Sequence, residues 1–181
     1  DSGTAALHLA LNVLDIKKKE VLVPSLTFAS TVNAIKYNGG IPVFVDVNLE
    51  TLCIDIIDLG GKITKKSKII LPVHFGGYPC DMKSLKKIAK NYSLYIVDDA
   101  AHACGAKYNG KNVGSLGDFT CFSFHPVKNL AMPKGGAITI NTKNSKQFKK
   151  KLNSLRWCGI SNRIGSNYDI TELGFNYYMD E

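Results

Sequence analysis

Two adjacent carboxylates, Asp98 and Asp99, close an apolar run at 94–97 and are followed at once by Ala100 and Ala101. Such a run, bounded by turn residues, indicates a buried strand, and in open α/β sheets ligands bind beyond the carboxyl ends of the strands. A carboxylate in such a cleft needs a cationic partner or a metal, because leaving it unpaired away from water is costly. By itself the pair also fits a magnesium ligand, a ribose ligand or a helix cap.

A lysine follows the next aromatic strand along the chain. The segment 119–124 is apolar and strand-like, it delivers Ser123, and the chain then turns sharply at Pro126 two residues before Lys128. A lone lysine beside a glycine-rich turn is usually a surface residue. Here the turn allows Lys128 to project back over the carboxyl edge of the sheet, where a lysine can form a Schiff base with a carbonyl cofactor.

A third feature is a helix start at Ser2, Gly3 and Thr4, directly before an apolar run. The first backbone N–H groups of a helix have no partner within the helix, and the helix dipole favours negative charge at that end. The turn is therefore a candidate phosphate site. Simple helix capping is the alternative.

The elements that would position these residues alternate between strands and helices. Runs of β-branched and apolar residues predict strands at 20–24, 41–47, 68–73, 94–97, 119–124 and 137–141. Helical spacing of apolar residues predicts helices at 5–14, 27–37 and 145–155, and another after the cap Asp81 with Met82, Leu85, Ile88, Ala89 and Tyr92 on one face. Strands that are apolar on both faces predict an α/β fold, with a mostly parallel sheet covered by helices on both faces. We expect one domain, with irregular structure from Cys158 onward.

Composition excludes several other classes of protein. The 181 residues are 45% hydrophobic and 21% charged, and the net charge of +8 comes from scattered lysines at 17–19, 65–66 and 149–151, which we expect at helix ends or in loops. Because no basic stripe is interleaved with aromatic residues, we expect no nucleic-acid partner. No apolar stretch approaches the roughly 20 residues of a membrane span. The first residues include no initiator Met and no secretory signal, so we expect the chain to begin and end inside a longer protein.

The five cysteines form no CxxC pair and no spacing typical of disulfides. Buried or idle thiols in a reducing compartment, the cytoplasm, are the expected state, and no metal site is predicted.

Taken together, these features resemble a known family. Six segments are similar, in order and from end to end, to the DegT/DnrJ/EryC1/StrS family of pyridoxal-phosphate (PLP) sugar aminotransferases: SGTAAL (2–7), PSLTFAST (24–31), DDAAHACGA (98–106), GSLGDFTCFSFHPVKNL (114–130), KGGAI (134–138) and GFNYYMDE (174–181). The resemblance implies the large cofactor-binding domain of aminotransferase fold type I over residues 1–181. It also implies that an N-terminal segment and a smaller C-terminal domain are absent from this chain.

The resemblance assigns catalytic roles to two residues and a stacking role to a third. Lys128 matches the lysine that carries the cofactor and later moves the proton between donor and cofactor. Asp99 matches the carboxylate that keeps the pyridine nitrogen protonated, which makes the ring an electron sink. Phe28 matches the aromatic residue that stacks on the ring.

The remaining cofactor contacts are implied in the same way. Gly3 and Thr4 match the phosphate site at the helix start, and Ser123 adds a hydroxyl to it. His102 matches a residue near the phenolic oxygen of the cofactor. Asn176 matches an asparagine that reaches from one subunit into the site of its neighbour, which implies a homodimer with shared active sites.

Two positions depart from the family pattern. Tyr178 stands where relatives usually have Arg or Lys, and Lys134 stands where an acidic residue is common. Both departures put substrate contacts and loop geometry in doubt and leave the cofactor residues unchanged.

The implied reaction is amino transfer, with glutamate as the expected donor, to a keto-sugar nucleotide in amino-sugar or polysaccharide biosynthesis. A sugar dehydratase of the same fold would have a histidine in place of Lys128, and nearby His125 keeps that alternative open. A non-catalytic truncated paralogue is a second alternative. A dinucleotide-binding Rossmann domain is disfavoured, because no GxGxxG follows the first strand.

Overall fold

The computed structural model describes residues 1–179. The final two residues of the GFNYYMDE segment, Asp180 and Glu181, lie outside the described residues.

A six-stranded sheet forms the centre of the molecule. Its strands are β1 (Glu20–Pro24), β2 (Ile41–Val45), β3 (Ser67–Ile70), β4 (Tyr95–Asp99), β7 (Phe119–Ser123) and β8 (Gly136–Ile140). Their order is β2-β1-β3-β4-β7-β8, and every pairing is parallel except that of β7 with β8. The carboxyl ends of the five parallel strands therefore meet at one edge. The predicted α/β class with a mostly parallel sheet is confirmed.

In the described part of the chain, five α-helices cover the two faces of the sheet. They are α1 (Gly3–Val13), α2 (Ala29–Tyr37), α3 (Ile56–Lys62), α4 (Met82–Tyr92) and α5 (Ser145–Leu155). Strand β1 shows how both faces are buried: Val21 and Val23 contact the core with α1 and α5, whereas Leu22 faces the core with α3 and α4. All three side chains are fully buried. Because successive side chains of a strand point to opposite faces of the sheet, one strand contributes to both cores.

Local sequence signals explain where two of the helices begin. Ser2 caps α1, because its Oγ accepts a hydrogen bond from the Ala5 N–H at 3.1 Å. The predicted cap Asp81 accepts from the Ser84 N–H at 3.2 Å and starts α4. These contacts satisfy donors that have no partner within the helix. The prediction that these α4 side chains are buried on one face is confirmed for Leu85. It is wrong for Tyr92, which is 55% exposed.

The expected irregular structure after Cys158 is wrong for residues 160–170, which form an antiparallel hairpin of β9 (Ile160–Ile164) and β10 (Asn167–Ile170), joined through Gly165 at φ 62°. It is confirmed for residues 171–179, which contain no strand or helix and one isolated bridge. A second hairpin pairs β5 (Lys107–Tyr108) with β6 (Lys111–Asn112) around an Asn-Gly turn. The lysines at 149–151 lie inside α5, on its exposed side, rather than at a helix end.

All five cysteines are free, and Cys53, Cys80 and Cys121 are buried. Among residues 1–179, no group of three or more His, Cys, Asp or Glu side chains is arranged to hold a metal ion. Over the same residues, no helix combines the length and apolar character needed to cross a membrane.

Candidate active site

A cavity of about 620 Å³ opens at the carboxyl edge of the sheet, beside the N-terminus of α1. Cavities of a few hundred Å³ are typical of cofactor and small-molecule sites. Seven of the eight residues that the sequence singled out line it: Gly3, Thr4, Phe28, Asp99, His102, Ser123 and Lys128. These residues come from α1, the loop before α2 and the ends of β4 and β7, so the fold brings together positions that are far apart in sequence.

Asp99 is the last residue of β4 and is only 5% exposed. Its Oδ2 accepts a hydrogen bond from the Thr31 hydroxyl at 2.7 Å, and its Oδ1 accepts from the Ala101 N–H at 3.1 Å. Among the described residues, none of the ion pairs involves Asp99. The cavity therefore contains a buried carboxylate with two neutral donors and room for a cationic partner.

The neighbouring Asp98 does not line this cavity, because alternate side chains of a strand point to opposite faces. It is fully buried, and its Oδ2 accepts from the Thr120 hydroxyl at 2.8 Å and from the Gly117 N–H at 3.1 Å. A Cβ at Gly117 would lie 2.7 Å from the Asp98 Cγ. Of the two adjacent carboxylates, Asp98 is therefore packed inside the protein, whereas Asp99 faces the cavity.

Lys128 sits in the turn after β7 and is half-buried. Its N–H donates to the His125 carbonyl at 2.8 Å, and the next residue, Asn129, donates from its side chain to the Cys104 carbonyl at 2.7 Å. These bonds tie the turn to the loop that follows β4. Lys128 and Asp99 line the same cavity.

The N-terminus of α1 meets the end of β7 at very short range. A Cβ placed on Gly3 would lie 2.7 Å from the Ser123 Cβ, so a glycine is required for this approach. The Ser2 side chain satisfies only the Ala5 N–H, and the first N–H groups of the helix lie beside the Ser123 hydroxyl at the cavity wall. Backbone donors, a hydroxyl and the positive end of a helix dipole together fit a phosphate group.

Replacing Gly3 by Ala tests this close approach. We expect a loss of about 1–3 kcal/mol in the free energy of unfolding, because the new methyl group must displace the Ser123 side chain or backbone. We also expect weaker protection by inorganic phosphate in thermal melts. Gly60 in α3 is the matched control, since a Cβ there has open space within 4 Å, and Gly60→Ala should stabilise by roughly 0.5–1 kcal/mol. Equal melting behaviour of the two variants would contradict the steric argument.

Phe28 and His102 lie at the mouth of the cavity. Phe28 precedes α2 in an extended conformation, and 78% of its side chain is exposed although it lines the cavity. An exposed phenylalanine beside a cavity leaves an apolar ring face available to a flat ligand. His102 is exposed on the loop after β4.

Three further residues of the site were not assigned a role by sequence reasoning. Thr27 and His74 line the cavity, and Thr31 contacts Asp99 from behind it. Thr27 and Thr31 both belong to the PSLTFAST segment, but that segment does not indicate their roles. His74 follows the strand β3 and belongs to none of the six segments that resemble the family.

The departure at Lys134 has a local partner. Its Nζ lies 3.3 Å from the Asp1 Oδ2, and both residues line the cavity. The ion pair joins the loop after Lys128 to the start of α1.

Asn176, the eighth residue, lies away from the cavity and is exposed. It pairs with Trp157 in an antiparallel bridge, and the flanking Phe175 and Tyr177 donate backbone hydrogen bonds to the end of α5. The side chain of Asn176 therefore does not contribute to the cavity of its own chain.

The segment around Asn176 is also fixed by His8 of α1. The His8 ring is buried among Tyr37, Phe175 and Tyr177, and its Nδ1 lies 3.2 Å from the Tyr177 hydroxyl. Burial lowers the pKa of His8. The neutral ring is therefore the form that this aromatic cluster favours.

Acidification should loosen this cluster. Because the pKa of His8 is lower in the folded state, the unfolded chain binds the proton first. Stability is therefore fully present above the ordinary value of about 6.5 and is lost as the pH falls through the folded pKa. We expect the melting temperature to drop more between pH 7 and pH 5 in the wild type than in His8→Phe, which retains a ring and cannot titrate. Parallel pH profiles would refute this assignment.

A second cavity, of about 590 Å³, lies between α1, β8 and α5. It shares Asp1 and Ser2 with the first and has Lys146, Lys149 and Arg156 on its α5 side. None of the eight predicted site residues lines it.

Comparison with known proteins gives consistent results. The sequence profile of the DegT/DnrJ/EryC1/StrS aminotransferase family matches residues 1–181. GDP-perosamine synthase of Escherichia coli O157:H7 is 41% identical, over 98% of this chain and 48% of its own length. A UDP-4-amino-4,6-dideoxy-N-acetyl-beta-L-altrosamine transaminase of Campylobacter jejuni is 40% identical, over 100% of this chain and 48% of its own. The chain thus spans about half the length of these curated relatives.

Solved structures agree with this assignment at the level of the fold. DesV of S. venezuelae superposes with a TM-score of 0.88 at 35% identity, over 97% of this chain and 46% of its own. NtdA of Bacillus subtilis, solved with bound cofactor PMP, gives 0.85 at 34% identity, over 98% of this chain and 40% of its own. The expected aminotransferase fold is confirmed.

Proposed function

Since this chain belongs to the DegT/DnrJ/EryC1/StrS aminotransferase family, we propose that its parent protein is a PLP-dependent aminotransferase acting on a keto-sugar nucleotide. The amino donor in this proposal is glutamate, and the product is an amino sugar for a polysaccharide or related glycan. The names of the relatives support the substrate class, because they include a GDP-sugar synthase and a UDP-sugar transaminase. One observation carries the proposal: Lys128 and the buried Asp99 line one cavity.

The cavity fits PLP group by group. The N-terminus of α1, with Gly3, Thr4 and the Ser123 hydroxyl, would hold the phosphate. Asp99 would pair with the protonated pyridine nitrogen, which supplies the cation that its buried carboxylate requires. PLP, when bound, supplies an electron sink for a carbanion at the donor carbon.

Two further side chains would complete the contacts to the ring. Phe28 would cover one face, and His102 would lie near the phenolic oxygen. For Phe28, contact with the ring would bury an apolar surface that is 78% exposed in this structure.

Lys128 has two roles in this proposal. Its amine would hold the cofactor covalently through the aldehyde carbon, with release of water. The same amine, when free, would move the proton at the α-carbon of the amino donor. The bonds of the turn to His125 and Cys104 would keep the amine over the cavity during both steps.

We further propose that residues 1–181 form the large domain of a longer enzyme that works as a homodimer. The share of the relatives that the chain covers, about half, supports the first part. The exposed position of Asn176, outside the cavity of its own chain, is consistent with a contact to the phosphate in a neighbouring subunit.

We also propose that the enzyme is cytoplasmic and has no nucleic-acid partner. The five free cysteines support a reducing compartment. The positive charge is carried by scattered lysines, including the exposed ones of α5.

The dehydratase alternative is less well supported by the same geometry. His125 lines the cavity, but its Nδ1 accepts a hydrogen bond from the Val127 N–H at 3.3 Å, within the turn that carries Lys128. A lysine is thus present where the dehydratase would have a histidine.

The test uses the full-length parent protein. It should be incubated with PLP, reduced with borohydride and digested, and the modified peptide should be identified by mass spectrometry. We expect the modification on Lys128, and glutamate added before reduction should remove it. A panel of GDP- and UDP-linked keto sugars then identifies the acceptor. Absence of modification on Lys128 would refute the proposed chemistry.

A further inference from the structure

Thr31 joins α2 to the carboxylate of the active site. It is in the first turn of α2, is fully buried, and donates from Oγ1 to the Asp99 Oδ2 at 2.7 Å across 68 residues of sequence. The Thr27 hydroxyl lies 2.8 Å from the Thr31 hydroxyl. An ionised carboxylate only accepts hydrogen bonds, so the Thr31 proton is directed at Asp99 and its oxygen accepts from Thr27.

The hydroxyl pair of Thr27 and Thr31 restricts the orientation of the Asp99 carboxylate. One carboxylate oxygen is held by Thr31 and the other by the Ala101 N–H, so the plane of the carboxylate is fixed from two sides. Both donors are neutral. They satisfy lone pairs of the buried group without neutralising it, which leaves its charge to attract a cation in the cavity.

We propose that Thr31 is a positioning residue that orients the Asp99 carboxylate toward the pyridine nitrogen of the cofactor. The inference rests on the proposed function, since it assumes that Asp99 pairs with that nitrogen. A threonine suits the task better than a serine, because its branched Cβ restricts the side chain to few rotamers in a helix.

The structure offers a matched control one strand away. Thr120 of β7 is also fully buried and donates to Asp98 at 2.8 Å, but Asp98 faces away from the cavity. Thr120→Val therefore removes the same chemical group from the same type of carboxylate, and neither Thr120 nor Asp98 lines the cavity.

The experiment compares Thr31→Val, Thr31→Ser and Thr120→Val in the full-length protein. The readouts are the PLP dissociation constant from absorbance titration, the pH dependence of the bound cofactor spectrum, and the single-turnover rate with glutamate. For Thr31→Val we expect PLP binding about 10-fold weaker and a rate about 10- to 100-fold lower, as for loss of a hydrogen bond to a charged group. Thr31→Ser should remain within about threefold of wild type, since it keeps the hydroxyl.

A double-mutant cycle separates positioning from a general effect on folding. In an Asp99→Asn background, Thr31→Val should weaken PLP binding no further, because the residue acts through the carboxylate. An equal loss in that background, or an equal loss in Thr120→Val, would overturn the proposal, as would an unchanged Thr31→Val. A wild type that takes no label on Lys128 would instead overturn the proposed function itself, together with this inference.

Discussion

Replacing Lys128 by Ala in the full-length protein is expected to lower the rate of amino transfer from glutamate by at least about 10³-fold. Two contributions are lost together: the covalent hold on the cofactor and the base that moves the proton. Single-turnover absorbance measurements with PLP and glutamate give the rate, and borohydride reduction gives the site of attachment. The fold should persist, since Lys128 is only half-buried and lies in a turn.

Lys107 is a suitable control for Lys128. It is an exposed lysine on the small hairpin of β5 and β6, away from the cavity. Lys107→Ala should retain both labelling and rate. If Lys128→Ala were reduced and labelled as efficiently as the wild type, Lys128 would not be the residue that holds the cofactor.

Replacing Asp99 by Asn is expected to lower the same rate by about 10²- to 10³-fold, the scale on which loss of one preorganised electrostatic contact acts. The amide keeps the size of the side chain but removes the charge that holds a proton on the pyridine nitrogen. The apo protein should melt at a similar or higher temperature, because a buried unpaired charge is removed. Thermal melts without PLP and single-turnover rates with PLP separate these two effects.

Asp98→Asn provides the matching control. This carboxylate is held by Thr120 and Gly117 and lies outside the cavity, so its loss should change the rate per folded molecule only a few-fold. A much smaller rate loss in Asp98→Asn than in Asp99→Asn is therefore expected. A rate loss in Asp98→Asn as deep as that of Asp99→Asn would contradict the division of roles.

The sequence predicted most of the sheet well because central strands such as β1 and β4 are buried on both faces. β1 and α5 have the predicted bounds, and β4 extends two residues further, so that it includes both aspartates. The start of α2 was predicted two residues early, at Thr27. Phe28 keeps an extended conformation there, which carries its ring to the mouth of the cavity.

Some exposed elements escaped prediction. The strand β10 lacks the continuous apolar run by which the buried strands were recognised, and it alternates polar and apolar residues over only 4 positions. Thr31 escaped for another reason: a threonine in a helix carries no sign of its use, and its partner Asp99 is distant in sequence. By contrast, the seven predicted residues that line the cavity were found through motifs.

Because the side chains of Asp98 and Asp99 point in opposite directions, the strand β4 should tolerate few insertions or deletions. An insertion or deletion of a single codon in β4 would exchange the faces of the two side chains, since strand side chains alternate with a period of two. Asp98 would then lose Gly117 and Thr120, and Asp99 would lose Thr31. Length variation in this lineage should therefore be confined to loops such as the exposed turn between β9 and β10.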